Sequence, residues 1–245
     1  AILCVESQRA QCLIIGEDLG IIPPEIVSKL ASAGVLSNEL FYFSKQAEQF
    51  TLPADYKQQS LLMLANHDVP PLLAWWQAND LQLRRDIGLI DSNEQLQQLM
   101  LQRDFDKQQL LALLQHEGAL AAEVDCSLDY SQLLAAWLAV TAAGSACLFS
   151  VQLCDLAIDS QPVNIPCTWM EYPHWQRRLP RSLTDLAADK QVQALLQLLH
   201  RARREGDSQL QDHLSQVSQI QTDPQVKAPS VAAEPLSLQP MDLIA

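Results

Sequence analysis

Short apolar runs that end in polar residues and lead into a proline-started helix recur in the first third of the chain. Gly-Glu-Asp follows residues 12–15 and Asn-His-Asp follows residues 61–65, and a Pro-Pro pair comes after each triplet. An apolar run of this length between turn signals is typical of a buried parallel strand, and proline is tolerated in the first turn of a helix. The pattern therefore predicts strands that alternate with helices, which is the organisation of an α/β fold.

The rest of the chain adds strands and a long helical stretch. Residues 35–43 and 146–153 are strand candidates, whereas residues 80–118 show helical spacing alone, with a capping box at 92–95 and a second helix at 106–116. Glycine is scarce, at 7 of 245 residues, which favours helices. About four strands result, which is half of a (β/α)8 barrel; barrels and open sheets both place functional residues at the carboxyl ends of strands. The predicted division is 1–79 with strand-helix units, 80–127 as a helical insertion, 128–206 with the last strand and the C-terminal helices, and 207–245 as a polar, largely disordered tail.

The charge balance restricts the partners. Sixteen lysines and arginines stand against 29 acidic residues, which gives a net charge of −13. Such a surface repels phosphate backbones and anionic lipids, so we expect no nucleic-acid partner. A neutral substrate such as a sugar fits this balance better, although charge alone does not select it. Four histidines share no metal-ligand spacing and are predicted to be surface or capping residues. They are His116, His174, His200 and His213.

The cysteines and one uncharged stretch bear on the location of the chain. None of the six cysteines forms a Cys-x-x-Cys pair and most lie within apolar runs, so we expect buried, reduced thiols and a cytoplasmic protein. Residues 130–154 carry no charge and are long enough to span a bilayer. Polar residues and the Gly-Ser pair at 144–145 interrupt them, which favours a helix, a turn and a strand over a membrane span. The missing initiator methionine indicates a chain cut from a longer one.

Two of the predicted strand ends carry carboxylates. Glu17 follows the first apolar run and Asp68 follows the run at 61–65. Carboxylates at the carboxyl ends of two parallel strands can face one cavity, and a pair of carboxyl groups performs glycoside cleavage. Acidic residues at loop-helix junctions also cap the helix that follows. The spacing alone leaves both roles open.

Four segments, which make three matches in chain order, resemble motifs of the amylomaltases, the 4-α-glucanotransferases of glycoside hydrolase family 77 in the α-amylase clan. Residues 14–26, Ile-Ile-Gly-Glu-Asp-Leu-Gly-Ile-Ile-Pro-Pro-Glu-Ile, resemble the acid/base motif. Residues 66–70, Asn-His-Asp-Val-Pro, are similar to the family's Thr-His-Asp-Leu-Pro. Residues 162–168, Pro-Val-Asn-Ile-Pro-Cys-Thr, and 174–179, His-Trp-Gln-Arg-Arg-Leu, are similar to its Asn-x-Pro-Gly-Thr and Asn-Trp-Arg-Arg-Lys-Leu segments. The motifs keep the family's order over about residues 1–200.

The resemblance implies roles for five residues. Glu17 matches the general acid/base, and Asp68 matches the carboxylate that holds sugar hydroxyls and stabilises the oxocarbenium-like transition state. His67 matches a histidine that binds the same sugar ring, Phe43 an aromatic that contacts glucose near the cleavage point, and Asn164 an asparagine that lines the site. From the residues alone, core packing stays open for Phe43 and a turn-forming role stays open for Asn164. The implied substrate is a maltooligosaccharide or α-1,4-glucan, and neither cofactor nor metal is implied.

Several positions depart from the family's pattern. Asn66 and Pro71 stand where the family has threonines, and Cys167 stands where it has a glycine, so we expect a side chain to crowd that loop. The family's nucleophile is an aspartate in an Arg-x-Asp motif upstream of the acid/base, and none of the sixteen residues before Glu17 is an aspartate. Residues 84–86 read Arg-Arg-Asp but lie downstream, in the helical insertion.

These observations predict the C-terminal half of a cytoplasmic amylomaltase, with the last four strands of a (β/α)8 barrel, a helical insertion and no activity without its N-terminal half. The implied reaction is retaining transfer of α-1,4-glucan segments to the 4-hydroxyl of an acceptor sugar. The alternative is a non-catalytic remnant, or a half-domain that binds glucan or complements a separate half. Half a barrel has two open strand edges, so we expect the isolated chain to aggregate or dimerise. A monomeric, cooperatively melting species in ultracentrifugation and calorimetry would contradict that expectation.

Overall fold

The structure is a computed structural model that describes residues 2–17, 22–46 and 48–205. Residues 18–21, which belong to the segment that resembles the acid/base motif, lie outside the described residues, and so does the predicted tail at 207–245. The α-helices are α1 (Ile2–Ala10), α2 (Pro24–Ser32), α3 (Leu72–Gln77), α4 (Asn79–Asp86), α5 (Asn93–His116), α6 (Tyr130–Ala143), α7 (Leu153–Leu156), α8 (Leu183–Ala188) and α9 (Lys190–Glu205). The strands are β1 (Ser37–Leu40), β2 (Lys45–Gln46), β3 (Gln49–Phe50), β4 (Ser60–Met63) and β5 (Leu148–Ser150).

A parallel sheet organises the fold, with β4 between β1 and β5. In the β1–β4 ladder Ser37 lies opposite Ser60. A parallel bridge joins Ile15 to Leu36, just before β1, and the N–H of Gly16 donates to the Leu36 carbonyl at 2.8 Å. The sheet order therefore follows the chain order, from the Ile15 segment through β1 and β4 to β5. The short β2–β3 pair forms a separate antiparallel hairpin.

The helix α6 forms the centre of the hydrophobic core. Residues 133–142 are buried without interruption, and the Trp137 ring contacts the rings of Phe41 and Trp75 at centroid distances of 5.2 and 5.5 Å. The uncharged stretch of the sequence is thus the predicted helix, turn and strand. In the part of the chain that the structure describes, no helix has the length and apolar character needed to cross a membrane.

The turn after α6 is held by α9. Arg203 of α9 donates from Nη1 to the Ala142 carbonyl at 2.9 Å and from Nη2 to the Cys147 carbonyl at 3.0 Å. The last carbonyls of a helix have no partner inside the helix, so this guanidinium stabilises the end of α6. Gly144 approaches the loop before β4 so closely that a Cβ would lie 2.6 Å from the Pro53 carbonyl oxygen. Glycine is required there by space.

The helical insertion contains α4 and α5. The predicted cap of α5 is confirmed, because Ser92 Oγ accepts from the Gln95 N–H at 3.1 Å. The prediction of two helices between residues 92 and 116 is wrong, since α5 is one helix of 24 residues. Arg103 in its middle is buried and binds both carboxylate oxygens of Asp80, at 2.7 and 2.9 Å. Its guanidinium also lies 5.0 Å from the Trp75 ring, so Arg103 joins α5 to α3 and α4.

Two predicted strands are shorter in the structure. The strand predicted at 35–43 ends at Leu40, and Phe41–Phe43 form a 3-10 turn that buries Phe41. The strand predicted at 146–153 contains only β5, and α7 begins at Leu153. In both cases the strand ends although the apolar run in the sequence continues. An apolar side chain can be buried from a turn or a helix as well as from a strand.

The predicted burial of the first apolar run and of the cysteines is wrong. Leu13 is 70% exposed, and the predicted strand at 12–15 is reduced to the single bridge at Ile15. Of the six cysteines, all within the described residues, five are exposed and Cys154 is half-buried. An apolar neighbourhood in sequence does not provide the packing partners, which come from elsewhere in the chain.

Candidate active site

Functional candidates follow three neighbouring segments of the parallel sheet. Glu17 comes two residues after the Ile15 bridge, Phe43 ends the turn after β1, and His67 and Asp68 follow β4. The carboxyl ends of parallel strands meet at one edge of a sheet. These side chains therefore belong to the same edge, which is where both barrels and open sheets carry their sites.

Asp68 is the centre of a polar cluster at this edge. Its Oδ1 accepts from Asn164 Nδ2 at 2.7 Å, and its Oδ2 lies 3.4 Å from His67 Nε2. The backbone N–H of Asp68 donates to Asn66 Oδ1 at 2.9 Å, which shapes the turn after β4. The Asp68 side chain remains about one-third exposed. The carboxylate is therefore fixed in orientation and still accessible to a ligand.

The loop that carries Asn164 is braced by a histidine. The Ile165 N–H donates to His174 Nδ1 at 3.3 Å, and Thr168 Oγ1 lies 2.8 Å from His174 Nε2. Thr168 Oγ1 also donates to the Ile165 carbonyl at 2.7 Å. Because Nδ1 accepts, the proton of a neutral imidazole is on Nε2, which donates to the threonine oxygen. His174 thus positions the loop, and Asn164 uses its side chain to bind Asp68 rather than to form a turn.

Cys167 occupies the left-handed backbone region in the same loop, with φ 68°. Glycine adopts this conformation freely, whereas an L-residue is destabilised by about 1–2 kcal/mol. The thiol is exposed, so the predicted crowding of the loop is replaced by backbone strain.

Neither of the two candidate carboxylates caps the helix that follows it. Pro23 precedes α2 and Pro71 precedes α3, and in neither helix does an N-cap side chain accept a hydrogen bond. The first N–H of α3, that of Leu72, donates instead to Asp155 Oδ1 at 2.9 Å. The capping role left open by the spacing is therefore taken at α3 by a residue 83 positions away.

Asp155 is a functional candidate that sequence reasoning missed. It lies in α7, is 2% exposed, and its carboxylate connects α7 to the start of α3. The pKa of its carboxyl is raised to about 7, mainly because burial disfavours the ionised form; the Leu72 N–H opposes this rise and the charge of Asp159 adds to it. An acidic residue inside the apolar stretch 153–157 was the available signal.

A cavity of about 460 Å³ joins the sheet edge to the helical insertion. Phe43 and Asp68 line it together with Arg103 of α5. Phe43 is 64% exposed, which excludes core packing for its ring. Lys45, two residues further on, binds Asp106 of α5 at 2.7 Å and so ties the loop of Phe43 to the insertion.

Glu17 is less fixed than the Asp68 cluster. It is exposed, and among the described residues no hydrogen bond or ion pair of its side chain is present. His67, Asp68 and Asn164 are in direct contact, Phe43 shares a cavity with Asp68, and Glu17 shares only the sheet edge with them. Within the described ranges, no group of three histidine, cysteine or acidic side chains is placed to hold a metal ion.

The amino-acid sequence is similar to those of known proteins. A model of glycoside hydrolase family 77, described as 4-alpha-glucanotransferase, matches residues 1–184. The 4-alpha-glucanotransferase of Haemophilus influenzae is 31% identical over 210 residues, which cover 83% of this chain and 30% of that protein. The 4-alpha-glucanotransferase of Mycobacterium tuberculosis is 26% identical over 212 residues, covering 82% of this chain and 29% of that protein. The chain thus spans about 30% of the length of these relatives.

Two solved structures are similar in fold. Amylomaltase from Corynebacterium glutamicum superposes with a TM-score of 0.73 at 21% identity, over 82% of this chain and 30% of that one. Amylomaltase from Streptococcus agalactiae, solved in complex with acarbose, gives a TM-score of 0.53 at 17% identity, over 82% of this chain and 34% of that one. At these identities the likeness concerns the fold.

Proposed function

This chain belongs to glycoside hydrolase family 77, the 4-alpha-glucanotransferases, and we propose that it provides the acid/base and the transition-state-stabilising side of an amylomaltase active site. The observation that carries the proposal is the Asp68 carboxylate, which Asn164 and His67 hold in an accessible orientation at the carboxyl edge of the sheet. A carboxylate that merely capped a helix would not need either contact.

The proposed architecture is the C-terminal half of a (β/α)8 barrel, in which the Ile15 segment, β1, β4 and β5 are the last four strands. The parallel pairing in chain order supports it, because an open doubly wound sheet reverses its order at a switch point. In this proposal residues 80–127 are a helical insertion and residues 128–206 complete the half-barrel.

The proposed reaction is a double displacement that retains the anomeric configuration. A carboxylate attacks the anomeric carbon of an α-1,4-glucan, the glycosidic bond breaks, and Glu17 gives its proton to the leaving 4-oxygen. Glu17 then takes the proton of an acceptor sugar's 4-hydroxyl, whose oxygen attacks the anomeric carbon and releases the carboxylate. Asp68 stabilises the positive charge that develops on the sugar in both steps.

We assign the nucleophilic carboxylate to a part of the barrel outside these 245 residues. In the family pattern it is an aspartate of an Arg-x-Asp motif on a strand before the acid/base, and the matching letters at residues 84–86 lie in the insertion helix α4. Residues 1–245 alone would then be inactive, and an N-terminal half would be the partner that completes the site.

The proposed substrate is an uncharged maltooligosaccharide or α-1,4-glucan. The net charge of −13 is compatible with a neutral ligand, and the acarbose complex of the Streptococcus agalactiae amylomaltase supports a sugar ligand for this fold. His67 and Asn164 would share the binding of the ring that Asp68 stabilises, with Phe43 contacting the adjacent sugar. The proposed chemistry needs neither metal nor organic cofactor.

A chimera tests the proposal. Residues 1–200 replace the corresponding segment of the Haemophilus influenzae relative, and disproportionation of maltotriose is followed by chromatography, alongside the 245-residue chain alone. We expect longer maltodextrins from the chimera, none from the chain alone, and none from chimeras with Glu17→Gln or Asp68→Asn. Glu123→Gln, at an exposed acid in the loop after α5, is the matched control and should leave transfer unchanged. Transfer that survives Glu17→Gln would refute the assignment.

The second candidate function is a non-catalytic remnant that binds glucan or complements a separate half. This chain covers only about 30% of the length of its relatives, which is the observation in favour of a remnant. A remnant predicts that neither the chimera nor the chain alone transfers glucan, whereas the catalytic proposal predicts inactivity of the chain alone only.

A further inference from the structure

An exposed tryptophan lies directly against the proposed sugar-binding histidine. The ring of Trp175 is 62% exposed, and its centroid is 5.2 Å from that of His67, with an angle of 50° between the two planes. An exposed indole offers a large, flat face for contact with another molecule. The indole therefore presents an open face beside the Asp68 cluster.

The backbone at this position is held in an unfavourable conformation. Trp175 has φ 59°, which is the left-handed region and is uncommon for a bulky residue. Its N–H donates to the Val163 carbonyl at 3.0 Å, next to Asn164. Such strain persists where the surrounding structure determines it, and it concentrates at functional sites. The loop that positions Asn164 on Asp68 is thus the same loop that holds the indole on His67.

The surroundings leave room for a chain of sugars. His67 borders a cavity of about 310 Å³ together with Val163 and Arg177, while Asp68 borders the cavity of about 460 Å³ at the insertion. The two neighbouring residues thus separate two cavities. A linear glucan that crosses Asp68 would extend from one cavity towards the other. The indole of Trp175 lines neither cavity but lies beside this path through its contact with His67.

We propose that Trp175 is a stacking platform for one glucose unit of an α-1,4-glucan, adjacent to the unit bound by His67 and Asp68. The C–H groups on the face of a pyranose carry partial positive charge and pack against the negative face of an indole, which also removes apolar surface from water. The proposal rests on the proposed function and adds a binding position to it.

A second exposed tryptophan provides the control. Trp169 is 83% exposed and lies six residues earlier, but its ring makes none of the ring contacts found among the described residues. Replacing it also removes an exposed indole, without touching the face beside His67.

The test measures binding of maltoheptaose by isothermal titration calorimetry to the chimera that carries Glu17→Gln, so that the ligand is not consumed, with thermal melting to check folding. We expect Trp175→Ala to raise the Kd about tenfold, Trp175→Phe to raise it about twofold because an aromatic face remains, and Trp169→Ala to leave it unchanged. Equal losses with Trp175→Ala and Trp169→Ala would overturn the proposal. So would a lowered melting temperature for Trp175→Ala with unchanged Kd, because the ring would then be a packing surface.

Different results would refute the stacking position of Trp175 and the proposed function. If the Glu17→Gln chimera binds maltoheptaose and its Trp175→Ala variant binds equally well, the stacking position is wrong while acid/base chemistry at Glu17 stands. If the Glu17→Gln chimera binds no maltoheptaose, the platform is refuted. Transfer from maltotriose by the chimera with Glu17 intact decides the proposed function separately.

Discussion

The pH dependence of stability isolates the buried carboxyl of Asp155. The change is Asp155→Asn, which keeps an acceptor oxygen for the Leu72 N–H and removes the titration. Burial holds the pKa of Asp155 at about 7 in the folded chain against its ordinary value of 3.8. Between these pH values the folded chain keeps a proton that the unfolded chain has released. The free energy of unfolding therefore falls as the pH rises from about 4 to about 7.

The expected magnitude follows from the two pKa values. Each pH unit contributes about 1.4 kcal/mol for one proton, so the wild-type chain loses about 4 kcal/mol of stability relative to Asp155→Asn across this window. The difference is constant below and above it. The Leu72 N–H is the compensating contact, and Asp159 is the nearby charge that opposes ionisation.

Chemical denaturation followed by tryptophan fluorescence, at pH 4, 5, 6, 7 and 8, measures this difference. The informative quantity is the free energy of unfolding of Asp155→Asn minus that of the wild type, which should grow with pH and then level off. Glu123→Gln, at an exposed position in the loop after α5, controls for the loss of one negative charge. A difference that stays flat from pH 4 to pH 7 would show that Asp155 titrates alike in the folded and the unfolded chain. Burial would then not raise the pKa of its carboxyl.

Three further substitutions test local features. Cys167→Gly should raise the free energy of unfolding by about 1 kcal/mol because it relieves the left-handed strain, while Cys167→Ala should not; equal effects in denaturation would refute the strain. Gly144→Ala should lower the melting temperature, since its Cβ would meet the Pro53 carbonyl at 2.6 Å, and an unchanged melt would mean that the turn adapts. Arg103→Met should destabilise by about 3–5 kcal/mol because it strands the buried Asp80 carboxylate, and adding Asp80→Leu should restore most of the loss in a double-mutant cycle.

Much of the fold could be predicted because its signals are local. The strand at β4, the proline-led starts of α2 and α3, and the Ser92 cap depend on residues within one or two turns of each other. The same holds for α6, whose uncharged sequence already favoured a buried helix followed by a turn. Periodicity and capping are properties of short windows, and short windows are visible in a sequence.

Contacts across long stretches of chain could not be predicted. Asp155 caps α3 across 83 residues, and Arg103 pairs with Asp80 across 23. The exposure of Leu13 also depends on what packs on it from elsewhere. The resemblance pointed to Asp68 and Asn164, but their hydrogen bond needed the fold to bring them together.

The sequence separation between Asn164 and Asp68 affects the order in which the chain folds. Asn164 and Asp68 are 96 residues apart, whereas the helical turns and caps close over a few residues. Long loops close later and more slowly than local structure forms. During refolding, the far-ultraviolet circular dichroism of the helices should therefore recover before the ability to bind sugar, so the site is assembled last.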